Sequence, residues 1–289
     1  MLFVLYSQVF DLNCLIDLLL LKDKFLCVII RLKEGANMGF DILFLGTGAA
    51  DGMNAEFPDD FYNKNLRRCA SALINGHILL DCGPHTLSSL AICGIDIKNI
   101  TDIVVTHLHK DHLDLSAVNK IAKTNDSLKL YCREDAVFET EPECEICRMT
   151  PFLEYSIGEL SVTGVPANHT QHPQHLSIEQ NGKRVFYGLD GAWFLGETVE
   201  YLKNKKYNTF VFDATVGDYV GDYRMGEHNS VPMIRLMCES MKTLDIISEN
   251  TLIVLSHIAM CLHKTHEETC ATVIADGFTV AFDGMKIDI

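Results

Sequence analysis

The sequence reads as an α/β chain in four layers, αββα, on three observations. From Phe40 onward, apolar strand-like runs alternate with stretches of helical periodicity. Two turn pairs, Asn75-Gly76 and Asn181-Gly182, each sit between apolar runs and mark hairpins. The chain thus divides into two similar halves, each with hairpins and helices, which suggests two sheets face to face with helices outside. The order of the layers does not follow from periodicity and rests on the family resemblance given below.

Taken in order, FDILFLG (40–46) is a buried strand ending in a glycine-rich turn, and SALINGHILLDCG (71–83) is the first hairpin. Residues 86–93 suit a short helix, DIVVT (102–106) a fully buried strand, and LDLSAVNKIAK (113–123) a helix with apolar residues at helical spacing. The second hairpin spans 175–188, and FVFD (210–213) and TLIVLS (251–256) are further buried strands. A helix opens at Ser230 with Pro232 in its first turn. The last helix starts at Thr265, where Thr265-x-x-Glu268 forms a capping box, and stops at Gly277 before a short terminal strand, 278–282.

Residues 1–37 are apolar, but Asp11, Asp17, Lys22, Asp23 and Lys24 interrupt them. No window reaches the roughly 18–20 apolar residues of a membrane-spanning helix. The stretch also lacks the basic start and small-residue cleavage site of a secretion signal. Met38 directly precedes the first strand, so one reading makes it the initiator and residues 1–37 upstream translation; the other makes them an amphipathic helix on the domain or on a membrane surface. The catalytic domain is expected over 38–289.

A net charge of −15 repels a polyphosphate backbone, and no Lys/Arg run offsets it, so long nucleic acids are disfavoured as partners. Small anions are not, because bound metal ions reverse the sign of a local site. Eleven cysteines, odd in number and scattered, fit a reducing cytoplasm. Cys144-x-x-Cys147, with Cys132 upstream, reads either as a displaced structural zinc site or as an acidic loop with reduced thiols.

The chemistry concentrates in THLHKDH (106–112). His107, His109, Asp111 and His112 are four ligand-type side chains within six positions, directly after a buried strand. Period-two spacing puts His107 and His109 on one side, able to reach one ion. Asp111 and His112, placed at the start of the next helix, point to a second nearby spot. Such a set suits two metals about 3.5–4 Å apart. The bland alternative is solvated loop histidines.

At these residues the chain resembles the metallo-β-lactamase superfamily, whose motif is His-x-His-x-Asp-His. The resemblance covers 38–289: LGTGAADG (45–52) matches the first strand and turn, and Asp81-Cys82-Gly83 the structural Asp-x-Gly turn. It implies a four-layer αββα sandwich in which His107, His109 and His169 hold one ion. Asp111, His112 and His257 would hold the other, with Asp190 bridging. Flavodiiron oxidoreductases of the same fold carry Glu where this chain has His109, which argues for hydrolysis. The imidazole and carboxylate donors suit Zn²⁺, with Mn²⁺ or Fe as other fits.

Within the superfamily the chain looks most like the phosphodiesterase branch, which contains phosphoribosyl cyclic phosphate phosphodiesterase and RNase Z. VFDAT (211–215) resembles that branch's strand leading to the active site, and Glu227-His228-Asn229 its His-Asn element. The resemblance implies a small phosphodiester substrate, with a cyclic one included. A water activated between two ions would attack phosphorus, and Asp111 would help orient it. His228 would contact the phosphate and protonate the leaving group, unless it is a polar residue at a helix start. Arg68 would bind the phosphate, or else form a surface salt bridge. Many relatives dimerise, which leaves a homodimer open, but nothing in the sequence names an interface. Residues 53–68 lack the cysteine cluster of the cyclic phosphodiesterase, which weakens the claim to a phosphoribosyl substrate. His172 and His175 read as loop or strand residues, and His263 and His266 as part of a surface helix start. The runner-up is a hydrolase of a carbon ester, thioester, lactone or β-lactam on the same metal site. A non-catalytic metal-binding protein is the third reading.

Overall fold

Residues 39–289 are described in the computed structural model; the extension expected over 1–37 lies outside the described residues. Two seven-stranded sheets carry the fold. The first contains β1 (Asp41–Gly46), β2 (Ser71–Ile74), β3 (Ile78–Leu80), β4 (Asp102–Val104), β5 (Lys129–Arg133) and β6 (Glu145–Met149) in that order, with β14 (Lys286–Asp288) on the outer side of β1. The second contains β7 (Glu154–Ile157), β8 (Leu160–Pro166), β9 (Gln174–Gln180), β10 (Lys183–Gly188), β11 (Thr209–Asp213), β12 (Leu252–Ser256) and β13 (Thr279–Val280) in sequence. Read from β14 and from β7 respectively, each sheet has three antiparallel pairings followed by three parallel ones. The two halves suggested by the hairpin spacing are therefore alike in topology as well.

Alternation along the strands sets the layers. In β1, Ile42 and Phe44 face the second sheet, while Leu43 and Leu45 face outward toward α1 (Thr86–Ile92) and α2 (Leu115–Ala122). In β11, Val211 lies between the sheets, whereas Phe210 and Phe212 face α3 (Gly196–Leu202) and α4 (Val231–Thr243). Three cores result: one between the sheets and one under each helical layer, which is the αββα sandwich. α5 (His266–Val273) completes the second helical layer through Val273. No helix among the described residues is long and apolar enough to cross a membrane.

The turn chemistry follows the sequence. Asn75 and Gly76 take φ of 49° and 77°, and Asn181 and Gly182 take 51° and 78°, the paired left-handed values of a tight hairpin turn. Ser230 and Thr265 cap α4 and α5 as expected, and Gly277 ends the last helical turn at φ 71°. Two segments differ. Part of the acidic stretch read as a loop, Glu145–Met149, is strand β6, paired in parallel with β5 at the edge of its sheet. The terminal strand shrinks to Thr279–Val280, and β14 follows it, returning the chain to the first sheet. Both are short strands with little apolar alternation to announce them.

β8 and β10 are both antiparallel to β9, and β10 to β12 run parallel, so the C-terminal ends of β8, β10, β11 and β12 lie along one edge. Gln174 ties this edge to the end of β4: its N–H donates to the Thr106 carbonyl and its Nε2 to that of Val105, both at 2.9 Å. Loops leaving these strand ends converge, which is where open α/β sheets place ligands.

Candidate metal centre

The loops after β4, β8, β10 and β12 deliver His107, His109, Asp111 and His112, then His169, Asp190 and His257. Asp111 and His112 occupy the turn before α2 rather than its start; Asp114 is the helix cap. Ligand atoms of His107, His109, His169 and Asp190 lie within 4.8 Å of one another, and so do those of Asp111, His112, Asp190 and His257. A third group, Asp190, Asp213, His228 and His257, meets the same limit, and Asp190 belongs to all three. The seven residues matched by motif and context are thus brought together, with Asp190 in the middle.

Orientation within the cluster is set from behind. Asp81, in a left-handed turn at φ 61°, accepts from His112 Nδ1 at 2.8 Å and from Thr106 Oγ1 at 3.0 Å. With its proton given to that carboxylate, Thr106 Oγ1 accepts from His107 Nδ1 at 3.1 Å. The second half repeats the device. Thr215 Oγ1 donates to Asp213 Oδ1 and accepts from His257 Nδ1, both at 2.7 Å. The Nδ1 protons of His107, His112 and His257 are all directed outward, so each ring presents the lone pair of Nε2 to the cluster.

Those lone pairs meet other acceptors. His112 Nε2 lies 2.8 Å and His107 Nε2 3.1 Å from Asp190 Oδ2, and His257 Nε2 lies 3.1 Å from Asp190 Oδ1. His112 Nε2 and His257 Nε2 approach to 3.1 Å, while His109 Nδ1 sits 2.8 Å from His107 Nε2 and 3.1 Å from His169 Nε2. Neutral rings in this geometry repel one another and the carboxylate unless positive charge sits among them. Protons and metal cations compete for that role. Burial disfavours charge on His112, yet Asp190, Asp111 and Asp81 together hold it well above the ordinary imidazole range. The same carboxylates favour a divalent cation, so the donor set fits one. Replacing Asp81 with Asn keeps the left-handed turn but removes the charge that fixes His112. We expect divalent-metal affinity to fall about 10–100-fold in Asp81→Asn, measured by competition with a chromogenic chelator.

Two of these candidate donors sit on left-handed backbone: Asp190 has φ 50° and His257 φ 53°. Gly83 serves the same centre differently, because a Cβ there would lie 1.9 Å from the Asp111 carbonyl. Only glycine lets the Asp-x-Gly turn pack so close to the motif loop.

His228 joins the centre from the segment before α4. Its Nδ1 lies 2.8 Å from Asp213 Oδ2 and 3.3 Å from Asp190 Oδ1, and its ring stacks on His257 at 5.6 Å. Burial opposes a charge on this ring, but Asp213 and Asp190 prevail and raise it to about 11. Asp213 and Thr215, at the end of VFDAT, are the pair that sequence reasoning missed. An Asp that closes an apolar strand carries no spacing signal in the sequence.

Arg68 is a correction. Its side chain is 3% exposed, and its guanidinium donates to the carbonyls of Pro58 (2.5 Å) and Asp60 (3.4 Å) and pairs with Asp283 at 3.6 Å. The rings of Phe57 and Phe61 cover it at about 5 Å. It pins the 57–61 loop and does not extend to the ligand cluster. Arg67 is buried too, donating to Thr47 Oγ1 and the Ala281 carbonyl, with His266 Nδ1 at 3.0 Å. His266 therefore starts its helix as a buried residue rather than a surface one. His175 is a buried strand residue and His172 a loop residue beside Asp135. Cys132, Cys144 and Cys147 are not among the described groups whose ligand atoms converge. Cys132 Sγ instead meets Arg148, and Cys144 packs against the first helical core.

Comparison with known proteins follows the same outline. A family model described as Anti-Pycsar protein Apyc1 matches residues 40–139, which include the motif loop. Anti-Pycsar protein Apyc1 of Paenibacillus xerothermodurans is 37% identical over 78 residues, or 26% of this chain; the match spans about a quarter (27%) of that relative's length. Among solved structures, a diphosphatase from the PhnP family superposes with a TM-score of 0.67 at 20% identity, covering 86% of this chain and 98% of that one. Zn²⁺-bound PqqB from Methylobacterium extorquens gives 0.63 at 16% identity, covering 86% and 100%. Two sheets of like topology, three cores in αββα order and these superpositions agree: the chain has the metallo-β-lactamase fold.

Proposed function

We propose that the chain is a hydrolase dependent on two divalent ions, acting on a small phosphodiester, with cyclic ones included. His107, His109 and His169 hold one ion, Asp111, His112 and His257 the other, and Asp190 joins them. The observation that supports this most is the convergence of seven donors on two adjoining spots, with His228 beside both. Imidazole and carboxylate donors favour Zn²⁺, with Mn²⁺ and Fe next. Ions held there supply Lewis acidity and an activated water near neutral pH.

The chain's own residues provide the rest. Asp111 turns Oδ2 toward His112 Nε2 (3.4 Å) and His257 Nε2 (3.7 Å), the direction of the ion they would share, and its other oxygen would accept a hydrogen bond from the attacking water and orient it. His228 has Nδ1 committed to Asp213, so Nε2 is the nitrogen left to face a substrate. As the bond from phosphorus to the departing oxygen breaks, Nε2–H transfers its proton to that oxygen. Asp213 stabilises the charged ring beforehand and fixes its direction. Positive charge held beside the ring would weaken its hold on the proton, toward the range where a general acid works. Likeness to a PhnP-family diphosphatase supports phosphorus as the reacting centre, and the net charge of −15 supports a small substrate over a long nucleic acid.

The burial of Arg68 removes one of the two phosphate-directed groups expected from the sequence, which favours a second reading: hydrolysis of a carbon ester, thioester, lactone or β-lactam. Metal-loaded protein assayed on bis(p-nitrophenyl) phosphate, a p-nitrophenyl ester and a β-lactam separates the two. We expect metal-dependent turnover of the phosphodiester; turnover of only the carbon substrates would replace the first reading with the second.

A further inference from the structure

The segment after Asp190 carries a strain that the ligand cluster does not require. Trp193, the chain's single tryptophan, has φ 30°, a left-handed value that bulky side chains avoid. The surroundings hold it there. Its N–H donates to Asn229 Oδ1 at 3.1 Å, and Asn229 Nδ2 donates to the Gly191 carbonyl at 2.7 Å. The Ala192 N–H reaches the Asn168 carbonyl at 3.4 Å. Residues 191–193 are thus clamped between the sequence neighbours of His169 and of His228. Ala192 is buried, and Phe194 packs among Phe186, Phe210 and Phe212. Within 190–194 only Trp193 is exposed, at 43%. A strained conformation that the structure over-determines, on a residue whose side chain adds little to the core, points to function.

We propose that Trp193 is a specificity-determining residue whose indole stacks on a flat aromatic or heteroaromatic group of the substrate, carried beside the scissile phosphate. This rests on the phosphodiester reading and adds to it the nature of the ester group. Stacking on an indole of this kind corresponds to roughly a tenfold gain in affinity.

As the single tryptophan, Trp193 reports on itself. Metal-loaded full-length protein is titrated with phenylphosphonate and with methylphosphonate, following indole emission and, in parallel, binding heat. The expected result is a saturable emission change with phenylphosphonate and an affinity about tenfold above that of methylphosphonate. Emission indifferent to phenylphosphonate, or equal affinities, would overturn the proposal. Trp193→Gly removes the indole and relieves the left-handed strain. It should raise KM for bis(p-nitrophenyl) phosphate about tenfold without lowering kcat or the melting temperature, while Trp193→Phe stays close to the parent. A glycine variant that melts earlier and loses kcat and KM together would show a structural role instead. A phenyl preference in binding without any phosphodiester turnover would support the subsite and sink the phosphodiesterase reading alone.

Discussion

Asp190→Asn is expected to abolish nearly all of the proposed turnover, with a loss on the order of 10³-fold or more, while leaving the fold in place. The estimate follows from what the carboxylate does. Asp190 is 2% exposed and touches Nε2 of His107, His112 and His257 within 3.1 Å. Burial alone would favour its neutral form, yet His257 and His112 hold it well below the usual carboxylate range. Asn keeps the size and tolerates φ 50°, but it is neutral and turns one oxygen into a donor. Several kcal/mol of charge stabilisation at the reacting centre then disappears, which corresponds to roughly a thousandfold in rate. Steady-state hydrolysis of bis(p-nitrophenyl) phosphate measures the loss, and an unchanged far-UV spectrum checks the fold.

His228→Ala is expected to give the second large effect, with a size that depends on the leaving group. Protonation by a positioned acid contributes about 10²–10⁴-fold, and only where the departing oxygen needs a proton. An alkyl phosphodiester loses that factor in kcat, whereas p-nitrophenolate leaves unaided and its ester loses much less. Asp213→Asn should show the same leaving-group dependence in milder form, because His228 stays present while its fixed Nδ1 partner is weakened. A series of esters with graded leaving-group pKa measures both. An equal loss across the series in His228→Ala would make His228 a binding or structural residue.

The motif loop could be read directly because His107, His109, Asp111 and His112 are neighbours in sequence and follow a buried strand. His169, Asp190 and His257 come 57 to 145 residues after His112, and only the superfamily resemblance picked them out. The αββα layer order came from the superfamily resemblance alone, whereas the strands and hairpins were readable from turn pairs and buried apolar runs, whose local chemistry is strong. β6 and β14 were not, since edge strands that carry charge show weak alternation. The Arg68 expectation failed because nothing local in the sequence reveals that Phe57, Phe61 and Asp283 enclose the guanidinium. Asp213 and Thr215 escaped for a related reason: their contacts are with Gly191, His228 and His257, none of them at a spacing that marks a motif. Groups that touch the cluster through another side chain leave no spacing to read.

Proposed catalysis at this centre requires the cluster to hold a pair of ions. The direct measurement is the metal content of extensively dialysed protein after Zn²⁺ loading, by elemental analysis, for the parent chain and for Asp190→Asn. Two equivalents per chain in the parent, falling to one or fewer in the variant, is the predicted result. Less than one equivalent in the parent, or the same content in both proteins, would contradict a centre built around Asp190.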